Sequence, residues 1–373
     1  MTRSGNPKGR AEFQRILVIC TRQIGDVLLT TPLIHAAKRR WPNASIDVLG
    51  FAGTLGMLKG NPDVHELVEV PAGSGWLRSI SLIRRLWRRY DLALVAQSSD
   101  RAHLYGWVAA RVRSGQVPDE PRAWWKRALL DHVVPLGVNH SHVVIEKMRM
   151  LSPWADLADA EVVPPPAREL PAQLTEQLRS PYVVMQVPSL VRYKQWPAAH
   201  FADVARALVN DGFQVLLSGG PSEADRAIVG EVVRMAALPA PALFPVAGLL
   251  DLNQLTALLQ GARLYIGPDT SVTHLAAACD IPVIALFGPI DPRLWGPWSG
   301  RLPLEIPYVQ RGLSQRSGKV ILLQGTPPCV PCNQAGCDRH NASRSECLET
   351  MEPARVIEQA RAALGVSPGV AAR

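Results

Sequence analysis

The chain has no long uncharged apolar run. The most extended stretches are Met235 to Leu250, interrupted by Pro239, Pro241 and Pro245, and Thr270 to Ile290, broken by Asp280. Neither reads as a membrane-spanning helix. The N-terminal MTRSGNPKGRAEFQR is polar and basic and lacks the apolar segment of a secretory signal, so cytoplasmic residence is expected. No G-x-G-x-x-G follows the first apolar strand, which weakens a dehydrogenase reading. No Asp-x-Asp pair occurs anywhere, which removes the commonest device for gripping a divalent metal together with a nucleotide diphosphate. Charge on such a group would have to be met by protein side chains and backbone.

What is present suits a soluble globular protein: 47% hydrophobic and 19% charged residues. At 373 residues the chain is long enough for two ordinary domains, because single cores rarely grow past about 250–300 residues. The net charge of +8 is unevenly spread, with 22 Lys and Arg against 15 Asp and Glu in residues 1–165 and 18 against 17 in the remainder. Part of the excess sits in LRSISLIRRLWRRY. There Ile83, Leu86, Trp87 and Tyr90 recur at helical spacing, and Arg84, Arg85, Arg88 and Arg89 line the opposite side. Such a face is either simply solvated or docks on an anionic surface such as phospholipid headgroups. No recognised DNA- or RNA-binding motif accompanies it, so nucleic acid is not expected as a partner.

Apolar strands alternate with helices along both halves. The first half reads as a strand at Ile16 to Cys20, a helix from about Val27 to Arg40, and strands at Ile46 to Leu49 and Leu92 to Ala96. Between Ser152 and Ser180 the pattern fails, and the segment contains PPPARELPAQL, which serves as the interdomain connection. The second half restarts at Tyr182 to Val187. A helix follows whose Phe201, Val204, Ala205 and Leu208 fall at i, i+3, i+4 and i+7. The order implies α/β domains with parallel sheets, one over residues 1–165 and one over 166–350. A final helix near Pro353 to Leu364, within a 351–373 tail, could close back over the first domain.

Two strand-to-helix turns carry chemistry-bearing residues, where open α/β sheets place their ligands. Asp26 follows Gly25, a residue that permits a tight or left-handed turn. The carboxylate is either a first-turn acid favoured by the helix dipole or a general base. Lys194, in VPSLVRYKQWP, stands at the carboxyl end of a strand beside a helix start and suits a diphosphate leaving group, or else is an exposed loop cation. Asp269, Thr270, Ser271 and His274 form a third cluster, where backbone N–H groups and two hydroxyls can receive phosphate oxygens, or else Asp269 or Thr270 simply caps the helix and His274 is a satisfied buried imidazole. A carboxylate on one turn and a hydroxyl-rich helix start on another read together as sugar transfer from an activated donor.

Two of the six cysteines, Cys20 and Cys279, are isolated. Cys329, Cys332, Cys337 and Cys347 are spaced C-x2-C-x4-C-x9-C in a loop rich in Pro, Gly and Asn. That spacing suits tetrahedral thiolate coordination of zinc or iron, a structural metal with no open position for catalysis. Free thiols or redox pairs are the other reading.

Taken together, IGDVLLTTPLIHAAKRRWPNASIDVL, NPDVHELVEV, YKQWPAAHFADVARAL with VLLSGGPSEAD, and GPDTSVTHLAAACDIPVIALFGPIDPRLWGPW resemble glycosyltransferase family 9, the lipopolysaccharide heptosyltransferases. The resemblance spans most of the chain in the right order. It implies a GT-B architecture of two Rossmann-like domains with parallel sheets facing a central cleft, the N-terminal one for acceptor and the C-terminal one for nucleotide sugar. It also implies inverting, metal-independent transfer, usually from ADP-heptose, with no catalytic cofactor. By position, Asp26 matches the family's proposed base, Lys194 its phosphate-contacting lysine and Asp269 its heptose-contacting acid. Thr270 and Ser271 open the helix that receives the diphosphate, with His274 one turn on, and Gly219 lies in a segment on the donor side. The familiar inner-core enzymes carry small hydroxyl residues before Gly25, whereas Arg22 and Gln23 stand here, a departure that bears on the acceptor. A lipopolysaccharide core acceptor is expected, at the inner face of the inner membrane. Heptosyltransferases that modify autotransporter proteins look similar in the donor domain and carry a cysteine-bound iron finger, so a protein acceptor is the alternative. A catalytically silent nucleotide-sugar-binding protein is the reading from another class.

Overall fold

The computed structural model describes residues 11–70, 76–136 and 141–366. The chain divides into two compact units, Met1–Pro165 with Arg301–Ile306, and Pro166–Gly300 with Pro307–Arg373.

In the first unit six strands form one parallel sheet: β1 (Arg15–Ile19), β2 (Ser45–Phe51), β3 (Glu66–Val70), β4 (Tyr90–Val95), β5 (Ala110–Pro118) and β6 (His132–Leu136). Their order is β3-β2-β1-β4-β5-β6, so the direction of winding reverses between β1 and β4. β1 and β4 are apolar along nearly their whole length because helices cover both faces of the sheet. A short strand, β7 (Asp159–Glu161), ends this stretch.

Two elements differ from the periodicity. The helix expected over 27–40 is two helices, Ile24–Leu28 and Thr31–Arg40. Pro32 has no N–H to give to the Leu28 carbonyl, and the Thr31 hydroxyl donates to that carbonyl instead, at 2.8 Å. Thr30 Oγ1 likewise donates to the Asp26 carbonyl at 2.7 Å. Gly25 lies inside the first of these helices with its carbonyl accepting from Leu29 N, in a helical and not a left-handed conformation. The arginine-rich helix runs over Trp76–Leu86 and ends earlier than its spacing suggests. Arg88 adopts a left-handed φ of 50°, Trp87 is 58% exposed, and Tyr90 opens β4 with its hydroxyl on Asp47 Oδ2. Among the described side chains of this helix Leu82 and Leu86 are buried, and Tyr90 belongs to the sheet.

The second unit repeats the plan with β8 (Tyr182–Gln186), β9 (Gln214–Ser218), β10 (Leu243–Pro245), β11 (Leu264–Pro268) and β12 (Val283–Phe287). The chain then supplies β13 (Arg301–Pro303), which pairs antiparallel with β7 in the first unit, before β14 (Ser314–Ser317) and β15 (Val320–Gln324). The sheet order is β10-β9-β8-β11-β12-β15-β14, parallel except for β14, with its reversal between β8 and β11. Helix Ala198–Asn210 buries Phe201, Val204, Ala205 and Leu208, the face its spacing predicts. The last helix, Pro353–Leu364, belongs to the second unit. It packs on Ala198–Asn210, Val356 and Ala360 join the core of the second unit, and Arg361 grips Asp211 at 2.8 and 3.0 Å.

Candidate functional site

Ligands of open α/β sheets bind beyond the carboxyl ends of the strands where the winding reverses. In the first unit that place is occupied by the turn after β1, which carries Asp26. The Asp26 carboxylate is 11% exposed and its Oδ1 is 3.2 Å from Nε of the half-exposed Arg22, one turn earlier. Gln23 caps the short helix through its backbone only, its carbonyl accepting from Val27 N. Arg22, Gln23, Gly25 and Asp26 are thus contiguous on one turn. Gln97, just beyond β4, donates to Thr21 Oγ1 at 2.6 Å and Ser99 Oγ at 2.5 Å, tying the ends of β1 and β4 together.

Beneath Asp26 lies a residue absent from the candidates chosen by motif. Lys147, on helix Val143–Met148, is 2% exposed, and its Nζ donates to the Asp26 carbonyl and to Thr30 Oγ1, both at 2.7 Å. Burial pushes this amine below its usual range, with the charge of Asp26 acting in the opposite sense. The Cys20 thiol at the end of β1 is pushed up, chiefly by burial. Lys147 had a sequence signal: it falls in phase with Val144, Met148 and Leu151, all buried, so a lysine occupies an apolar helix position.

In the second unit the turns after β8 and β11 flank the reversal. Lys194 ends the single-turn helix Arg192–Lys194, and its Nζ is 2.6 Å from Asp269 Oδ2, with Asp269 almost fully buried. His274 Nε2 lies 3.8 Å from the other oxygen, Asp269 Oδ1. Lys194, Asp269 and His274 are therefore one cluster. Thr270 is the N-cap of helix Ser271–Ala278 and makes no side-chain capping bond. Helix starts of this kind carry N–H groups and a partial positive charge that receive anions. Thr273, one turn in, is fixed by Tyr265 OH at 2.8 Å and by its own bond to the Pro268 carbonyl at 2.5 Å. Gly267 leaves room for that tyrosine hydroxyl, because a Cβ there would collide with it.

Gly219 follows β9, and a Cβ on it would stand 2.9 Å from Pro188 Cγ and 3.2 Å from Ala247 Cβ. Packing between neighbouring turns accounts for this glycine.

The structure does not support the metal expected at the four clustered cysteines. Cys347 is buried on helix Glu346–Glu349, Cys332 is half-buried, and Cys329 and Cys337 are exposed, all as free thiols. Among the described residues no group of three or more His, Cys, Asp or Glu is arranged to hold a metal ion. Burial, then the neighbouring Cys332, Cys337 and Cys329, push the Cys347 thiol up to about 12. The segment has a different structural role, bracing the Lys194 loop. Arg192 N donates to the Asn341 carbonyl, Arg192 Nη2 pairs with Glu349 Oε1, and Ser345 Oγ donates to the Tyr193 carbonyl, at 3.0, 3.0 and 2.7 Å.

Residues 79–304 match the model of glycosyltransferase family 9 (heptosyltransferase). Lipopolysaccharide heptosyltransferase 3 of Escherichia coli is 30% identical over 295 residues, covering 74% of this chain and 84% of that protein. The structure of E. coli ADP-heptose lipopolysaccharide heptosyltransferase II aligns with a TM-score of 0.70 at 23% identity, over 94% of this chain and 98% of that one. The iron-containing dodecameric glycosyltransferase TibC of enterotoxigenic E. coli aligns with a TM-score of 0.54 at 14% identity, over 96% of this chain and 77% of that one. The fold is thus that of the GT-B heptosyltransferases expected from the sequence. With the family model covering more than half of the chain, this protein belongs to glycosyltransferase family 9 and is a glycosyltransferase.

Proposed function

We propose that the protein transfers a heptose from ADP-heptose to a lipopolysaccharide core acceptor, with inversion and without a metal. The observation that carries this reading is the placement of the two chemistries. A carboxylate, Asp26, stands at the winding reversal of one sheet, and a lysine–aspartate–histidine cluster beside an open helix start stands at that of the other. In the reaction an acceptor hydroxyl oxygen attacks the anomeric carbon as the bond from that carbon to the ADP oxygen breaks. Asp26 takes the hydroxyl proton. The negative charge that grows on ADP is met by Lys194 and the N–H groups that follow Thr270, with Ser271 and Gly219 on the donor side. Asp269 contacts the heptose, with His274 beside it, and Arg22, Gln23 and Gly25 face the acceptor. The named relatives support donor and acceptor class, one being a lipopolysaccharide heptosyltransferase and another named for ADP-heptose.

Residence on the cytoplasmic side, peripheral to the inner membrane, is part of the same proposal. Among the described residues no helix is long and apolar enough to cross a membrane, and the first unit exposes tryptophans and arginines on one strip. The protein-acceptor reading rests on similarity in the donor domain and on the cysteines as a metal finger, and among the described residues no group of three or more His, Cys, Asp or Glu is arranged to hold a metal.

The test is D26A assayed with ADP-heptose and core acceptors. Transfer falls by about a hundredfold or more while ADP-heptose still raises the melting temperature. Unchanged transfer removes the base role, and a wild-type protein that responds to no nucleotide sugar returns the silent-member reading.

A further inference from the structure

A lysine ammonium is among the costliest groups to place in a protein interior, and it persists there only with partners. Lys147 has two, the Asp26 carbonyl and Thr30 Oγ1. The same Thr30 hydroxyl donates to the same carbonyl, so ammonium, hydroxyl and carbonyl form a closed triangle with every side 2.7 Å. The triangle lies where the chain needs it most. Helix Ile24–Leu28 has only five residues and is cut from the next helix by the break before Pro32, so it has little rigidity of its own.

We propose that Lys147 is a positioning residue for transfer, fixing the backbone of Asp26 and presenting a buried positive charge beneath its carboxylate. The inference rests on the base role of Asp26. The charged and titratable groups that act on the ammonium are the Cys20 thiol, Asp26 and Arg22 on the β1 side and Glu146 on its own helix. Of these, Asp26 is the carboxylate whose backbone Lys147 also holds. Asp26 is then gripped from two directions, by Arg22 at its carboxylate and by Lys147 at its carbonyl. Loss of the ammonium frees the turn, and a base displaced by as little as about 1 Å costs roughly a hundredfold in rate.

The experiment is steady-state transfer by K147M, which keeps the length of the side chain and removes its charge. The kcat falls about 10- to 100-fold while KM for the nucleotide sugar stays within about twofold. In a D26N background K147M costs less than about twofold in the residual rate, since residues acting through one another are not additive. Wild-type kcat in folded K147M overturns the proposal, as does a full-sized loss in the D26N background. Should K147M not fold, K147Q decides, because its uncharged side chain is one bond shorter and no longer reaches both the Asp26 carbonyl and Thr30 Oγ1. A kcat lowered about fivefold supports the proposal, and a wild-type kcat overturns it. D26N with full activity defeats the base role itself, whereas an inactive D26N beside a fully active K147M defeats only the role of Lys147.

Discussion

Lys194 Nζ sits 2.6 Å from Asp269 Oδ2, so the cation proposed to meet the diphosphate is paired with a buried carboxylate. Under the proposed function the pairing sets up a competition, in which a bound diphosphate shares the lysine with Asp269. K194M should therefore have two effects. Without ligand it lowers the melting temperature by several degrees, since it strands Asp269, and K194M/D269N recovers most of that loss. With donor, KM rises about tenfold or more. Thermal melts of the single and double variants check the first effect; a K194M protein as stable as wild type would mean that Asp269 needs no partner.

Burial of Lys147 has a thermodynamic signature separate from any effect on rate. Its amine is pushed below the usual range in the folded protein, chiefly by burial, so the unfolded chain binds the proton more strongly. Unfolding free energy therefore rises with pH between the folded and the ordinary lysine value, and the penalty is complete below that window. K147M, which carries no such penalty, should melt at or above the wild-type temperature at pH 7. Wild type should gain on it as pH is raised toward the lysine range. Melting curves for both proteins at several pH values settle the sign, and a K147M that is several degrees less stable at neutral pH contradicts it.

The proposed membrane contact has a candidate surface. Helix Asp100–Ala109 shows solvent Arg101, Leu104 and Trp107, spaced three apart, with Trp107 40% exposed. Arg88 N donates to the Val108 carbonyl at 3.0 Å, which brings exposed Trp87, Arg84 and Arg88 alongside. Apolar rings amid arginines suit an anionic lipid interface, where each basic residue contributes about 1 kcal/mol. The protein should sediment with phosphatidylcholine vesicles containing phosphatidylglycerol, less so as salt is raised, and R84A/R101A should weaken binding by about tenfold or more. Equal binding to neutral and anionic vesicles, or none to either, would remove this surface from the account.

Much of the fold was legible because its determinants are local. The apolar runs of β1, β4 and β11 announce buried parallel strands, and the spacing of Phe201, Val204, Ala205 and Leu208 announces the helix they share. Where the sequence misled, a distant partner or a single hydroxyl decided. Thr31 ends a helix by taking the Leu28 carbonyl, and Tyr90 leaves the helical pattern because Asp47, 43 residues away in sequence, accepts its hydroxyl. The cysteine spacing was visible, but spacing does not fix the direction of a thiol, and Cys347 turns into the core. At the candidate site the turns could be found by motif. The pairing of Lys194 with Asp269 and the support of Asp26 by Lys147 join residues 75 and 121 positions apart, and no local pattern records them.

The brief return of the chain at Arg301–Ile306 has a consequence for how such a protein can be cut and recombined. β13 pairs with β7 through Arg301, whose Nε donates to Glu161 Oε2 at 2.9 Å, so the first unit is completed only by a strand made after most of the second. A ribosome that has released residue 165 has not yet made everything the first unit contains. A chimera joined once between residues 165 and 166 inherits one parent's β7 with the other parent's β13. Exchange of acceptor and donor halves therefore needs three junctions, at 165/166, 300/301 and 306/307, if each sheet and its outlying ribbon are to keep their own parentage.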